Sequence, residues 1–226
     1  MFAAPDGPGI MVDLDVDTHS AAPLWVHGRM SMAGAKLMAQ DSEERRFTGK
    51  GFRYEQLVTA HGTCPIGAEE YRFKGRGLRI HRRSSPNAAG FRGHVWQSAL
   101  FPSGKGFGYT AFPPGETGQP TFCEGYYFDG STMRPAEPAD IPWITLCTPE
   151  RQDVSFTLRT AAGDIRITAA TGATNFSTAR AAAANNTDPI IQQQGAALYT
   201  LGDETAFGMN ERSNFRSKLT FRPDRV

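Results

Sequence analysis

Tyr71-Arg72-Phe73-Lys74-Gly75-Arg76-Gly77-Leu78-Arg79-Ile80-His81-Arg82-Arg83 alternates with a period of two, the period of a β-strand and not of a helix. One face carries Tyr71, Phe73, Gly75, Gly77, Arg79 and His81, and the other carries Arg72, Lys74, Arg76, Leu78, Ile80 and Arg82. Glycine inside a strand weakens it, and marks a bend or the close approach of a ligand. An aromatic pair, a gap of two glycines, then a guanidinium and an imidazole therefore read as a wall, a space and two groups able to do chemistry. The cations on the other face read as a solvated edge.

The same texture continues through most of the chain. Strand-like runs occupy 51–62, 70–82, 92–101, 107–112 and 121–129, then 141–146, 154–160, 164–170, 191–201, 206–212 and 218–221. Between them lie hairpin connections such as Asp129-Gly130, Ala162-Gly163-Asp164 and Gly202-Asp203-Glu204. Only 32–40 and 177–184 read as helical, and both are short. So many short antiparallel neighbours predict an all-β chain closed into a barrel, which removes exposed edges. Residues 1–48 differ in texture, with strand-like runs at 10–16 and 23–27. They are expected to be an N-terminal extension packed on a barrel domain of residues 49–226.

Composition narrows the function. With 24 Lys and Arg against 23 Asp and Glu, nothing favours nucleic acid or an anionic membrane. Three scattered cysteines, Cys64, Cys123 and Cys147, build no disulfide framework and no metal-binding pattern. No stretch approaches the roughly 20 apolar residues of a membrane span, so a cytoplasmic protein is expected. Nucleophile-elbow, phosphate-loop, zinc-protease and dinucleotide motifs are all missing from the sequence. The expected chemistry is proton transfer by side chains, with neither cofactor nor metal.

Candidate residues come from the strand faces. Arg79 and His81, if inward, stand at the barrel mouth as electrostatic stabiliser and base; the plainer reading is a wetted barrel end. Phe122, Glu124, Tyr126 and Phe128 share a face, so Glu124 is a carboxyl among aromatics and the candidate acid, or else a solvent-facing or arginine-paired group. His94 and Trp96 share a face, which suits an apolar ligand with one polar group, or plain core. Tyr109 joins Tyr126 as a candidate to orient a substrate oxygen. Glu211 ends the face of Phe207 and Met209, as the partner of an inward arginine such as Arg79 or as a second acid.

The order Gly75-x-Gly77-x-Arg79-x-His81, the pair Trp96-Gln97, the segments 154–160 and 164–168, and Phe207-Gly208-Met209-Asn210-Glu211-Arg212 resemble the lipocalin-like superfamily of carotenoid 1,2-hydratases (hydroxyneurosporene synthases) and their bacterial relatives. The resemblance covers roughly residues 51–219. It implies a lipocalin-like, calycin-type barrel, commonly the second of two in a longer chain. Where those hydratases carry an acid before the matching histidine, this chain has Ile80, so the likeness points to a reaction class and not to a carotenoid.

Together these readings predict a cofactor-independent enzyme for a hydrophobic small molecule. It would hydrate, dehydrate or shift a double bond inside a barrel cavity, with a homodimer as a compatible assembly. The alternative is a carrier barrel that binds such a molecule without converting it.

Overall fold

The computed structural model describes residues 10–16, 24–37, 51–66, 69–84, 91–114, 120–148, 151–179 and 188–222. Within the first four strands, side chains are described for Glu55, Leu57 and 69–78. Those strands are β1 (Ile10–Val16), β2 (Leu24–Leu37), β3 (Gly51–Ile66) and β4 (Glu69–Ser84), which pair in chain order as one antiparallel sheet. The expected helix at 32–40 is therefore strand up to Leu37. Strand pairing joins 10–37 to 51–84 in this one sheet.

Eight further strands close into an antiparallel, lipocalin-like barrel. They are β5 (Val95–Leu100), β6 (Gly106–Pro114), β7 (Pro120–Phe128), β8 (Met133–Ala139), and, beyond the short β9 (Leu146–Cys147), β10 (Phe156–Thr160), β11 (Gly163–Ala179), β12 (Ile190–Leu201) and β13 (Glu204–Phe215). Each pairs with the next, β8 pairs with β10, and β13 returns to β5. A 3₁₀ turn at Arg216–Lys218 leads to β14 (Thr220–Phe221), which pairs in parallel with β9 across one barrel end. Strand was expected at 141–146, but only Leu146 of that run is in a strand. The loop or short helix expected at 177–184 is strand to Ala179, and the rest lies outside the described residues.

β8 carries Pro135 and Pro138, residues that cannot donate to a ladder. It tolerates them by changing partner midway. Met133 to Ala136 pair with β7, whereas Glu137 to Ala139 pair with β10. Neither proline is required to donate on both sides.

Small barrels have interiors just wide enough for side chains, and this one is filled. Phe107, Tyr109, Phe156 and Tyr199 are fully buried, with ring centroids 4.7 Å apart for Tyr109–Phe156 and 5.0 Å for both Phe107–Phe156 and Phe107–Tyr199. Val95, Ala99, Leu158, Ile167 and Ala197 belong to the same core. The cavity expected inside the barrel is thus occupied at its centre by an aromatic cluster.

Two tyrosines on adjacent strands are seated by glycines. Tyr109 pairs with Gly125 on the inner face, and Tyr126 pairs with Gly108 on the outer face. A Cβ at Gly125 would lie 2.8 Å from Tyr109 Cβ, and one at Gly108 would lie 2.7 Å from the Tyr126 ring. Tyr126 then joins Leu57, Leu78, Leu100 and Phe128 in a second apolar cluster. That cluster fastens the four-stranded sheet to the outside of the barrel.

Candidate functional site

Alternation along each strand gives the barrel wall two chemistries. On the outside, cross-strand pairing sets Glu124, Thr110, Trp96, Glu211 and Gln194 in one row across β7, β6, β5, β13 and β12. This is the wall that β3 and β4 partly cover. Glu55, two residues before Leu57 and so on the same side of β3, is 1% exposed. Thr110 is 3% exposed, and its Oγ1 has no hydrogen-bond partner among the described residues. Glu124 is half-buried beside it.

At the far end of the row His94 is held from both sides. Its Nδ1 lies 2.7 Å from Ser213 Oγ, and its Nε2 lies 2.7 Å from Glu211 Oε1. The Gln194 side chain donates to Glu211 Oε2 at 2.7 Å. Burial pushes the Glu211 carboxyl up, but bonds from His94, Gln194 and Gln192 outweigh it and leave it below the usual glutamate value. The placement depends on Gly93 at φ +105°, where a Cβ would meet the Ser213 carbonyl oxygen at 2.2 Å. Only a residue without a side chain lets the chain approach β13 so closely. His94 N can then donate to Ser213 Oγ at 3.0 Å, and Ser213 N to His94 O at 2.8 Å.

Inside the wall runs a relay of amides. Tyr109 donates to Gln97 Oε1 at 2.8 Å, Gln97 Nε2 to Asn210 Oδ1 at 2.9 Å, and Asn210 Nδ2 to Gln193 Oε1 at 3.5 Å. Gln193 Nε2 continues to Gln152 Oε1 at 3.3 Å, and Gln152 Nε2 to the Leu146 carbonyl at 2.8 Å. Each amide accepts through oxygen and passes on through nitrogen, so these buried polar groups are satisfied in the core. Burial holds the Tyr109 hydroxyl well above the usual phenol range, which suits a fixed donor.

The residues singled out from the sequence therefore divide. Glu124, Tyr126, Trp96, His94 and Glu211 share the outer face. Tyr109 is in the lumen, bonded to Gln97, with the wall between it and Glu124. Arg79 and His81 lie in β4 opposite Gln56 and Tyr54 of β3, in the sheet and not in the barrel; their side chains lie outside the described residues. Their strand therefore does not run through the barrel mouth expected for Arg79 and His81. Glu211, expected to meet an inward arginine, instead takes His94 and Gln194 on the outer wall. Sequence reasoning missed Glu55, Thr110 and Ser213, and the glycine that matters most, Gly93. At Gly75 and Gly77 an added Cβ would meet nothing within 4 Å. Among the described residues no group of three or more His, Cys, Asp and Glu is placed to hold a metal ion.

No protein-family model and no curated protein matches the chain. Among solved structures, an AttH-like protein from Nitrosomonas europaea is similar at a TM-score of 0.55 and 14% identity, over 96% of this chain and 67% of that one. Kievitone hydratase from Nectria haematococca is similar at a TM-score of 0.48 and 9% identity, over 90% of this chain and 64% of that one. The chain spans about two thirds of the length of either. The likeness to the first is one of fold.

Proposed function

We propose that the protein is a hydratase-like enzyme whose reaction takes place between the four-stranded sheet and the outer wall of the barrel. The observation that carries this reading is the buried Thr110 hydroxyl, without a described partner and set in register between Glu124 and Trp96. A buried polar atom left unbonded is costly, and a substrate oxygen or a reacting water would satisfy it. Glu124 and Glu211 stand three strands apart, roughly 14 Å at about 4.8 Å per strand, so they do not act on one bond. Glu124 is assigned as the acid at the reacting centre. Glu55, buried on the facing sheet, is the second carboxylate, and Trp96 and Tyr126 supply the apolar wall. The His94–Glu211 pair anchors a more distant polar group of the substrate.

In hydration, Glu124 gives its proton to one carbon of a double bond and water oxygen bonds to the neighbouring carbon. The spare proton of that water passes to Glu55. Return of one proton from solvent to Glu124 and release of one from Glu55 restore the site. The reverse is dehydration, and the same pair without water shifts the double bond. A hydrophobic, unsaturated small molecule bearing one polar group fits this wall.

The test is incubation of the full chain with a panel of conjugated unsaturated ketones and alcohols in heavy-oxygen water, with label read by mass spectrometry. Glu124→Gln is expected to lower label incorporation by roughly a hundredfold, while tryptophan quenching by the same compounds persists. Unchanged incorporation in that variant removes Glu124 from the chemistry. Saturable quenching with no labelled, dehydrated or double-bond-shifted product across the panel makes the protein a carrier.

A further inference from the structure

The end of the barrel crossed by β9 holds a second, independent site. There a cleft of about 330 Å³ is lined by Trp143, Thr145, Leu146, Arg151, Asp153 and Arg212, among others. Arg212 reaches it from the inner face of β13 and is only 4% exposed. Among the described residues its guanidinium meets neutral oxygens alone. Nε and Nη2 donate to Gln193 Oε1 at 2.9 and 2.6 Å, Nη2 also donates to Gln152 Oε1, and Nη1 donates to the Pro142 carbonyl at 3.1 Å. No carboxylate lies within ion-pair distance of it among the described residues.

A buried cation without a counter-charge is an expensive arrangement, and burial lowers this guanidinium to about 10. It is still charged at neutral pH. Four of its five N–H groups are used by these bonds. The remaining one is on Nη1, the nitrogen bonded to Pro142, which itself lines the cleft. Gln193 and Gln152 solvate the cation through their oxygens but bring no charge to neutralise it.

We propose that this cleft binds a small organic monocarboxylate, with its carboxylate on Arg212 and its apolar body against Trp143 and Leu146. The charge balance selects a single negative charge: Arg212 and Arg151 against Asp153 leave one positive charge in the lining. Asp153 is held ionised by its bonds from Ser155, so a dianion such as inorganic phosphate would leave one negative charge uncompensated. The remaining Nη1–H can give one charge-assisted hydrogen bond to a carboxylate oxygen.

The experiment titrates the full chain at fixed ionic strength with benzoate, its uncharged analogue benzamide, and inorganic phosphate, reading tryptophan fluorescence and melting temperature. Benzoate is expected to saturate and to raise the melting temperature, while benzamide and phosphate bind at least tenfold more weakly. Arg212→Gln is expected to lose benzoate binding by tenfold or more. Because that variant disturbs a buried network, Thr145→Glu supplies a second arm: it places a negative charge at an exposed rim position and is expected to weaken benzoate about tenfold in a normally folded protein. Equal binding of benzoate and benzamide, equal binding of phosphate, or unchanged benzoate affinity in Thr145→Glu overturns the assignment.

Discussion

Glu211 and Arg212 are neighbours in β13 and serve opposite sides of one barrel wall. The Glu211 carboxylate meets His94 Nε2 at 2.7 Å outside, while the Arg212 guanidinium donates to Gln193 Oε1 at 2.9 Å inside. The anion has a described partner of opposite charge when His94 is protonated, and the cation has none. Strand alternation keeps two such groups, adjacent in sequence, from neutralising each other.

Glu211 gives the fold an acid-sensitive tie. Its carboxyl titrates below the ordinary 4.5 in the folded protein, so the folded state binds that proton more weakly than the unfolded chain. The linked stability is complete above about 4.5 and is lost as pH falls through the lower folded value. Glu211→Gln is expected to cost about 1–3 kcal/mol at neutral pH. Denaturant melts from pH 7 to pH 3 should show a shallower decline in stability for the variant; parallel curves would deny Glu211 this role.

The glycines make opposite predictions. Gly93→Ala puts a Cβ against the Ser213 carbonyl at a positive φ, and Gly125→Ala puts one against Tyr109 Cβ and the Ala136 carbonyl. Each should destabilise by about 1–3 kcal/mol. Gly75→Ala and Gly77→Ala meet open space and should change stability by less than about 1 kcal/mol, with a gain from the stiffer unfolded chain. Thermal melts of the four variants decide the matter.

The amide relay is read by a double-mutant cycle. Tyr109→Phe removes the donor to Gln97, and Gln97→Leu removes the acceptor and strands the Tyr109 hydroxyl, each costing about 1–3 kcal/mol. The two changes should be non-additive by about 0.5–3 kcal/mol, since they remove the same bond. Strict additivity in urea melts would mean that the 2.8 Å contact contributes nothing.

The two described cysteines should be inert. Burial pushes the Cys123 thiol up to about 12 and raises that of Cys147, so little thiolate is present at pH 8. Iodoacetamide labelling followed by peptide mass spectrometry should leave both untouched in buffer and modify both in urea. Rapid native labelling at Cys123 would place it outside the packed wall.

The period-two pattern made the all-β class and the barrel legible, because each half-buried strand prints its two faces on the sequence. Met133-Arg134-Pro135-Ala136-Glu137-Pro138-Ala139 was not legible, since two prolines argue against a strand unless the chain changes partner midway. Assigning faces within a strand was also straightforward: Glu124 and Tyr126 do share a side. Which side is inside was not, because the outer wall of β5 to β7 is covered by another sheet and is as apolar as the lumen. That cover made Glu124 look like an inward residue. Arg212 was passed over for the converse reason: nothing local marks a charged residue as one that faces a core of amides.

The divided loyalty of β8 has a mechanical consequence. Three residue pairs, Thr157 with Ala139, Leu158 with Pro138 and Arg159 with Glu137, are all that zip this staves-in-a-hoop structure shut between β8 and β10, against twelve between β12 and β13. One of the three contains a proline, so even that short zip is missing an amide. Breathing of the molecule is expected to start along this line, and hydrogen-exchange mass spectrometry should find deuterium there before it reaches the rest of the hoop.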